Sequence, residues 1–216
     1  MIKSGSSNIS DTKTMAVLCY DRQLLVSHIS SVLKERSPNS YIYKDVPATD
    51  AAVLIPLYFK DDQAYVLFTK RTEHLAHHKG QISFPGGKKD DADPSLMHTA
   101  LRETQEEVGI EPSEIQLLGH SDIFLTNTHF MVQPFVGLFD YPYPFRINSD
   151  EIEHLIEVPL LHLLDEEIFE IKPYETKGQR WWIHYYYFGD EIIWGVTGFL
   201  VSNFLSIVFG IERNHF

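Results

Sequence analysis

The segment Gly80–Ile110 reads GQISFPGGKKDDADPSLMHTALRETQEEVGI, and its second half decides how the rest of the chain must fold around it. Asp93 followed by Pro94 predicts a helix start, because aspartate can cap exposed N–H groups and proline is preorganised for the first helical position. Gly109 and then Pro112 predict the stop. Between them Met97, Leu101, Thr104 and Val108 form one stripe at helical spacing that can face a core. Glu103, Glu106 and Glu107 fall on a different face, related as i, i+3 and i+4. Three carboxylates on one helical surface repel one another, and a cation turns that cost into a gain. The cation that suits several carboxylate oxygens is hard and divalent, Mg²⁺ or Mn²⁺. Arg102 lies four residues before Glu106 and can pair with it. Upstream, Gly86 and Gly87 permit backbone conformations and close ligand approach that a side chain would block.

Outward from this segment, the composition bounds what the helix can serve. With 216 residues, 44% of them hydrophobic, the chain can bury one sizeable core. A net charge of −12 argues against nonspecific binding to nucleic acid or to an anionic membrane. An anionic substrate therefore needs a local remedy, either clustered Lys and Arg or a metal ion. The single cysteine, Cys19, leaves no internal disulfide and no cysteine-built metal site. The first residues, MIKSGSSNISDTKTM, lack a signal-peptide core, which gives a cytoplasmic expectation. The apolar tract Val196–Ile211 is short for a bilayer span and is interrupted by Thr197, Ser202, Asn203 and Ser206, so it predicts a buried C-terminal helix. The composition admits a homodimer without requiring one.

Residues 1–18 are expected to form a flexible tail and residues 19–216 a single domain with an N-terminal helix in DRQLLVSHISSVLKER. AAVLIPLYF and QAYVLFTKR, flanking Lys60, Asp61 and Asp62, predict a β-hairpin. EIQLLGHSDIFLT, HFMVQPFVGLF, EIFEIKPY and QRWWIHYYYF predict further strands, with a short helix near PLLHLLDE. The sum is an α+β chain, an α/β/α sandwich about a mixed β-sheet.

These residues resemble the signature of the Nudix hydrolase superfamily. RETQEEVGI carries its second half at Arg102, Glu103, Glu106, Glu107, Gly109 and Ile110. Asp93 stands where the signature has glutamate, the loop is one residue longer, and Thr104 fills an apolar slot. The longer loop is similar to that of the coenzyme A pyrophosphatase branch, whose upstream pattern LFTKRTEHLAHHKGQISFPGG resembles at Thr69, Lys70, Arg71, Leu75, His78, Gly80, Gln81, Phe84 and Pro85. Ala76 stands where the branch has arginine.

The resemblance implies the Nudix fold and metal-dependent attack of water on a pyrophosphate. Glu103, Glu106 and Glu107 would hold Mg²⁺ or Mn²⁺, Arg102 would orient a glutamate, and Gly86 and Gly87 would approach the phosphates. Glu151, in NSDEIEH, is the candidate base from another loop. Lys70, Arg71, His78 and Lys88 are the candidate substrate contacts, and Lys79 and Lys89 add to the same cluster of charge. The expected substrate is coenzyme A or an acyl derivative. ADP-ribose, NADH or another dinucleotide is the alternative, and a nucleotide-sensing module without turnover is the third reading.

Overall fold

The computed structural model describes residues 12–35, 47–74, 79–176 and 178–213. Its central feature is a hairpin that comes apart. Strand β1 (Thr49–Lys60) turns at Asp61 and Asp62, both at positive φ, into β2 (Gln63–Arg71). The two strands pair only from Leu57↔Val66 to Lys60↔Gln63. Beyond that they splay, and two short strands fill the gap. β3 (Ile82–Ser83) pairs with Thr69 and Lys70 of β2, and β4 (Gly86–Lys88) pairs with Ala51 to Val53 of β1.

The next strands in chain order are β5 (Gln116–His120), β6 (Phe124–Leu125), β7 (Phe130–Leu138) and β8 (Ile152–Pro159). β7 runs parallel to β1, while β5 and β6 lie antiparallel along β7 and β8 lies antiparallel along β2, so the sheet is mixed. Alternation along β1 sends Ala52, Leu54 and Tyr58 toward one face and Ala51, Ile55 and Leu57 toward the other.

Helices cover both faces. On one face α3 (Leu96–Val108) buries Ala100 and Val108 against Ala52 and Leu54. On the other, α1 (Thr12–Tyr20), α2 (Arg22–Glu35), α4 (Leu160–Leu164) and α5 (Gly195–Phe209) share a core with Val66 and Phe68. A second sheet of β9 (Phe169–Thr176), β10 (Gln179–Phe188) and β11 (Glu191–Trp194) lays Tyr186 and Ile193 into that same core. The predicted α/β/α sandwich with a mixed sheet is the observed architecture. No helix among the described residues is long and apolar enough to cross a membrane. The apolar C-terminal tract packs inward, with Leu200, Val201, Phe204 and Leu205 buried.

Three expectations need correction. Over residues 12–18 the tail reading gives way to α1, where Met15, Leu18 and Cys19 recur at helical spacing and are buried, while residues 1–11 lie outside the described residues. The polar composition of the first residues hid that spacing. EIQLLGHSDIFLT is two strands: the Ser121 N–H still donates to the Pro134 carbonyl of β7, but Pro134 has no N–H to return, and the regular pairing stops at the buried Ser121 and Asp122. The helix expected from Asp93 begins later: Ser95 is the N-cap, accepting from the His98 N–H, and the Asp93 carboxylate is committed elsewhere.

Candidate active site

The site lies where the splayed hairpin, the glycine loop and α3 meet. Gly86 has φ 157°, and a Cβ there would fall 2.4 Å from the Ala52 carbonyl oxygen and 2.6 Å from Val53 Cα. A Cβ on Gly87 would fall 2.5 Å from the Glu103 carboxylate. The two glycines therefore let the loop run as strand β4 directly beneath the helix, with Glu103 lying over its backbone.

Asp93 anchors the arrangement from the other side. Arg102 donates Nε to Asp93 Oδ1 at 3.0 Å and Nη2 to Oδ2 at 2.9 Å, a two-pronged contact of the kind guanidinium and carboxylate planes favour. Thr99 Oγ1 and the Asp90 N–H also donate to Oδ2. The Arg102 guanidinium, with these donors, holds the Asp93 carboxyl well below the usual carboxylate range despite its burial. Fixed in this way, Arg102 presents Nη1 to Glu103 Oε1 and to Glu106 Oε2, each at 2.9 Å. The aspartate at the signature's glutamate position thus reaches the arginine of the same motif.

Glu107 is 3% exposed, and its Oε2 is buried without a hydrogen-bond partner. Burial raises its carboxyl to about 8, opposed by Arg71 and reinforced by Glu103 and Glu151. Burial also raises Glu103, against the pull of Arg102. Arg71, at the end of β2, brings a distant residue in: Nη1 lies 3.6 Å from Glu107 and Nη2 lies 3.8 Å from Glu151, which precedes β8. Its own Nε is buried and unpartnered. Glu151 is half-exposed.

Other predicted residues are placed differently. Strand alternation puts Lys70 with Val66 and Phe68 on the face away from α3, where its ammonium contacts both oxygens of Glu191 at 2.8 and 3.0 Å. Lys88 is exposed, and its carbonyl accepts from Arg102 at 3.4 Å. His78 lies outside the described residues, as does Ala76. Thr104, in the apolar slot, is buried with its hydroxyl donated to the Ala100 carbonyl at 2.7 Å. Met97 and Leu101 are only half-buried, and Ala100 takes the fully buried place expected of the stripe. Sequence reasoning missed Asp93 as the partner of Arg102. The signal was present in the signature's own register, where an acid belongs at that place.

Among the described residues no three acidic or imidazole side chains converge into a ready-made cation cage. Arg102 holds Glu103 and Glu106, and Arg71 lies beside Glu107. The donor set nevertheless fits a hard divalent cation. It offers carboxylates only, two of them raised by burial, and one buried oxygen with no partner.

The Asp93–Arg102 contact makes a stability prediction. Asp93 has a depressed pKa in the folded state, so its contribution is fully present above the unfolded value near about 4 and fades as pH falls toward the folded value. Asp93→Asn is expected to cost about 2 to 3 kcal/mol in urea unfolding at pH 7, a cost that shrinks progressively below about pH 4. A gap between the two proteins that stays constant with pH would assign the effect to packing instead.

Residues 48–173 match the model of the NUDIX domain. The chain is 36% identical over 153 residues to a protein of Yersinia pestis (strain Pestoides F) named "Uncharacterized Nudix hydrolase NudL", covering 71% of this chain and 76% of that one. A Yersinia pseudotuberculosis protein of the same name matches at the same 36% identity, over 71% of this chain and 76% of its own. Among solved structures, a Caenorhabditis elegans Ap4A hydrolase binary complex superposes with a TM-score of 0.45 at 17% identity, over 52% of this chain and 81% of that one. The NUDIX domain of Shewanella oneidensis NrtR, complexed with ADP ribose, superposes with a TM-score of 0.42 at 22% identity, over 57% of this chain and 81% of its own. With the domain matched over more than half its length and relatives above 30% identity, this chain belongs to the Nudix hydrolase family and is an enzyme of that family.

Proposed function

We propose that the enzyme hydrolyses the diphosphate of coenzyme A or its thioesters, releasing adenosine 3′,5′-bisphosphate and 4′-phosphopantetheine or its acyl form. The observation that carries the reaction class is the Glu107 carboxylate, buried with an unpartnered oxygen beside Arg71 and against Gly86 of the glycine loop. The substrate assignment rests on the pattern from Leu67 to Gly87.

Glu103, Glu106 and Glu107 would hold Mg²⁺ or Mn²⁺, which when bound neutralises diphosphate charge and polarises water. Arg102, braced by Asp93, orients Glu106 and Glu103. Arg71, its side chain partly exposed, carries positive charge to the edge of the acidic cluster, where the guanidinium can attract a phosphate oxygen. Glu151 is the base we assign. It is half-exposed, within reach of water, and Arg71 keeps it beside the helix. Gly86 and Gly87 expose backbone to the diphosphate, and Lys88 supplies charge at the rim.

One observation favours a second reading. Lys70, a candidate for the 3′-phosphate of coenzyme A, is bound to Glu191 on the opposite face of the sheet. A substrate without that phosphate, ADP-ribose or NADH, fits the remaining cations as well. Mass spectrometry of products from coenzyme A, 3′-dephospho-coenzyme A, ADP-ribose and NADH, each with Mg²⁺ or Mn²⁺, separates the two. Adenosine 3′,5′-bisphosphate formed fastest from coenzyme A is expected. Faster cleavage of ADP-ribose or NADH would overturn the substrate assignment while keeping the site.

A further inference from the structure

The turn that carries Glu151 is gripped from two sides. On the helix side the grip starts from a general need, because the last carbonyls of a helix have no partner within it. Two of those at the end of α3 are taken by the segment leading into the turn. The Arg146 N–H donates to the Val108 carbonyl at 3.0 Å, and the Asn148 N–H donates to the Glu107 carbonyl at 2.9 Å. Asn148 then closes the turn itself. Its carbonyl accepts from the Glu151 N–H at 3.1 Å and from the Ile152 N–H at 2.9 Å, and its Oδ1 accepts from the Asp150 N–H at 3.2 Å. Asparagine favours such local bonds from side chain to backbone.

On the sheet side the grip comes from Thr72, which follows β2 where its register with β8 slips between Lys70 and Arg71. The Thr72 N–H donates to the Glu151 carbonyl at 2.9 Å, and its hydroxyl donates to the Asp150 carbonyl at 3.3 Å. Thr72 is buried, whereas Asp150 is exposed and Glu151 half-exposed. Exposed turns are normally among the more mobile parts of a fold. Here one buried threonine pins two successive carbonyls of the turn, and the turn's other end is tied to the backbone of Glu107 itself.

We propose that Thr72 and Asn148 are positioning residues of the hydrolysis, which fix the Glu151 carboxylate relative to Glu107 without touching substrate, a role that rests on Glu151 being the base. A base works only within hydrogen-bond reach of the proton it takes, and a misplacement of about 1 Å can cost about 100-fold in rate. Arg71 does not set that placement, because its contact with Glu151, at 3.8 Å, is too long for a hydrogen bond. The placement falls to the backbone of the turn, and so to the two residues that hold it.

The test is steady-state kinetics with Mg²⁺ on whichever of coenzyme A or ADP-ribose the wild type cleaves faster. Thr72→Val keeps the branched shape and the backbone N–H and loses only the hydroxyl. It is expected to lower kcat about fivefold to tenfold with KM within about twofold, and Asn148→Ala to do the same. Thr72→Ser, which keeps the hydroxyl, restores kcat to within about twofold. Mn²⁺ affinity measured by calorimetry stays at the wild-type value in Thr72→Val. Glu151→Gln lowers kcat about 100-fold or more, and Thr72→Val added to it brings no further loss, because the hydroxyl acts only through that carboxylate. Wild-type kcat in Thr72→Val and Asn148→Ala beside a slow Glu151→Gln would overturn the positioning role and leave the base in place. Additive losses in the double variant, or weakened Mn²⁺ binding in Thr72→Val, would overturn it by making the threonine merely structural. Full activity of Glu151→Gln would remove the base, and the positioning role with it.

Discussion

Glu107→Gln is expected to fold and to lose turnover with Mg²⁺ by about two to three orders of magnitude. The amide keeps the shape of a side chain that is 3% exposed but removes the charge from the most buried of the three acids. The fold should tolerate it, because a neutral amide escapes the desolvation that raises this carboxyl to about 8. The same shift fixes a sign in metal-free buffer. The folded chain keeps the Glu107 proton up to about 8, while the unfolded chain releases it near about 4.3. The folded state therefore binds more protons between those values, and this group's contribution to stability is full below about pH 4.3 and lost as pH rises through about 8. Glu107→Gln should flatten that decline, as followed by urea unfolding at intervals of pH. Unchanged turnover would remove Glu107 from the site.

The two loop glycines should fail in opposite ways when given a methyl group. In Gly86→Ala the new carbon meets backbone, the Ala52 carbonyl oxygen at 2.4 Å and Val53 Cα at 2.6 Å, at a φ of 157° that side chains rarely adopt. Backbone cannot yield without breaking the β1–β4 ladder, so the expected cost is about 3 kcal/mol or more. In Gly87→Ala the new carbon meets only the end of the Glu103 side chain, at 2.5 Å. That carboxylate can swing away. Stability should then change by less than about 1 kcal/mol while turnover falls at least about tenfold, because Glu103 no longer lies over the loop. Thermal denaturation and single-turnover rates of both variants check the contrast. Equal loss of stability in the two would mean that Glu103 is held more rigidly than its contacts with Arg102 imply.

The strongly periodic segments are legible in the amino-acid sequence. The hairpin around Asp61 and Asp62, β7, β10 and the C-terminal helix all follow from patterns longer than a few residues. So does the helix that carries Glu103, Glu106 and Glu107. The strands β3 and β4 are not legible, since two or three residues such as Ile82–Ser83 have no periodicity of their own and exist only because a splayed hairpin leaves edges to fill. Local rules make Asp93 a cap. A tertiary partner, the Arg102 guanidinium, outcompetes the helix for its carboxylate, and Ser95 takes the cap. Lys70 and Arg71 look alike in sequence, yet strand alternation sends one to Glu191 and the other to Glu107.

The parting of β1 from β2 has a kinetic meaning. A loop hung from the end of a sheet exchanges its amide hydrogens quickly, but Gly86 to Lys88 are stitched into β1 as a strand. Their protection from deuterium should approach that of the sheet itself and far exceed that of the exposed stretch at Asp90 and Asp91. The floor under the carboxylates is then as slow to move as the core, so a reacting diphosphate would find its surroundings set in advance, with little reorganisation left to perform during the chemical step.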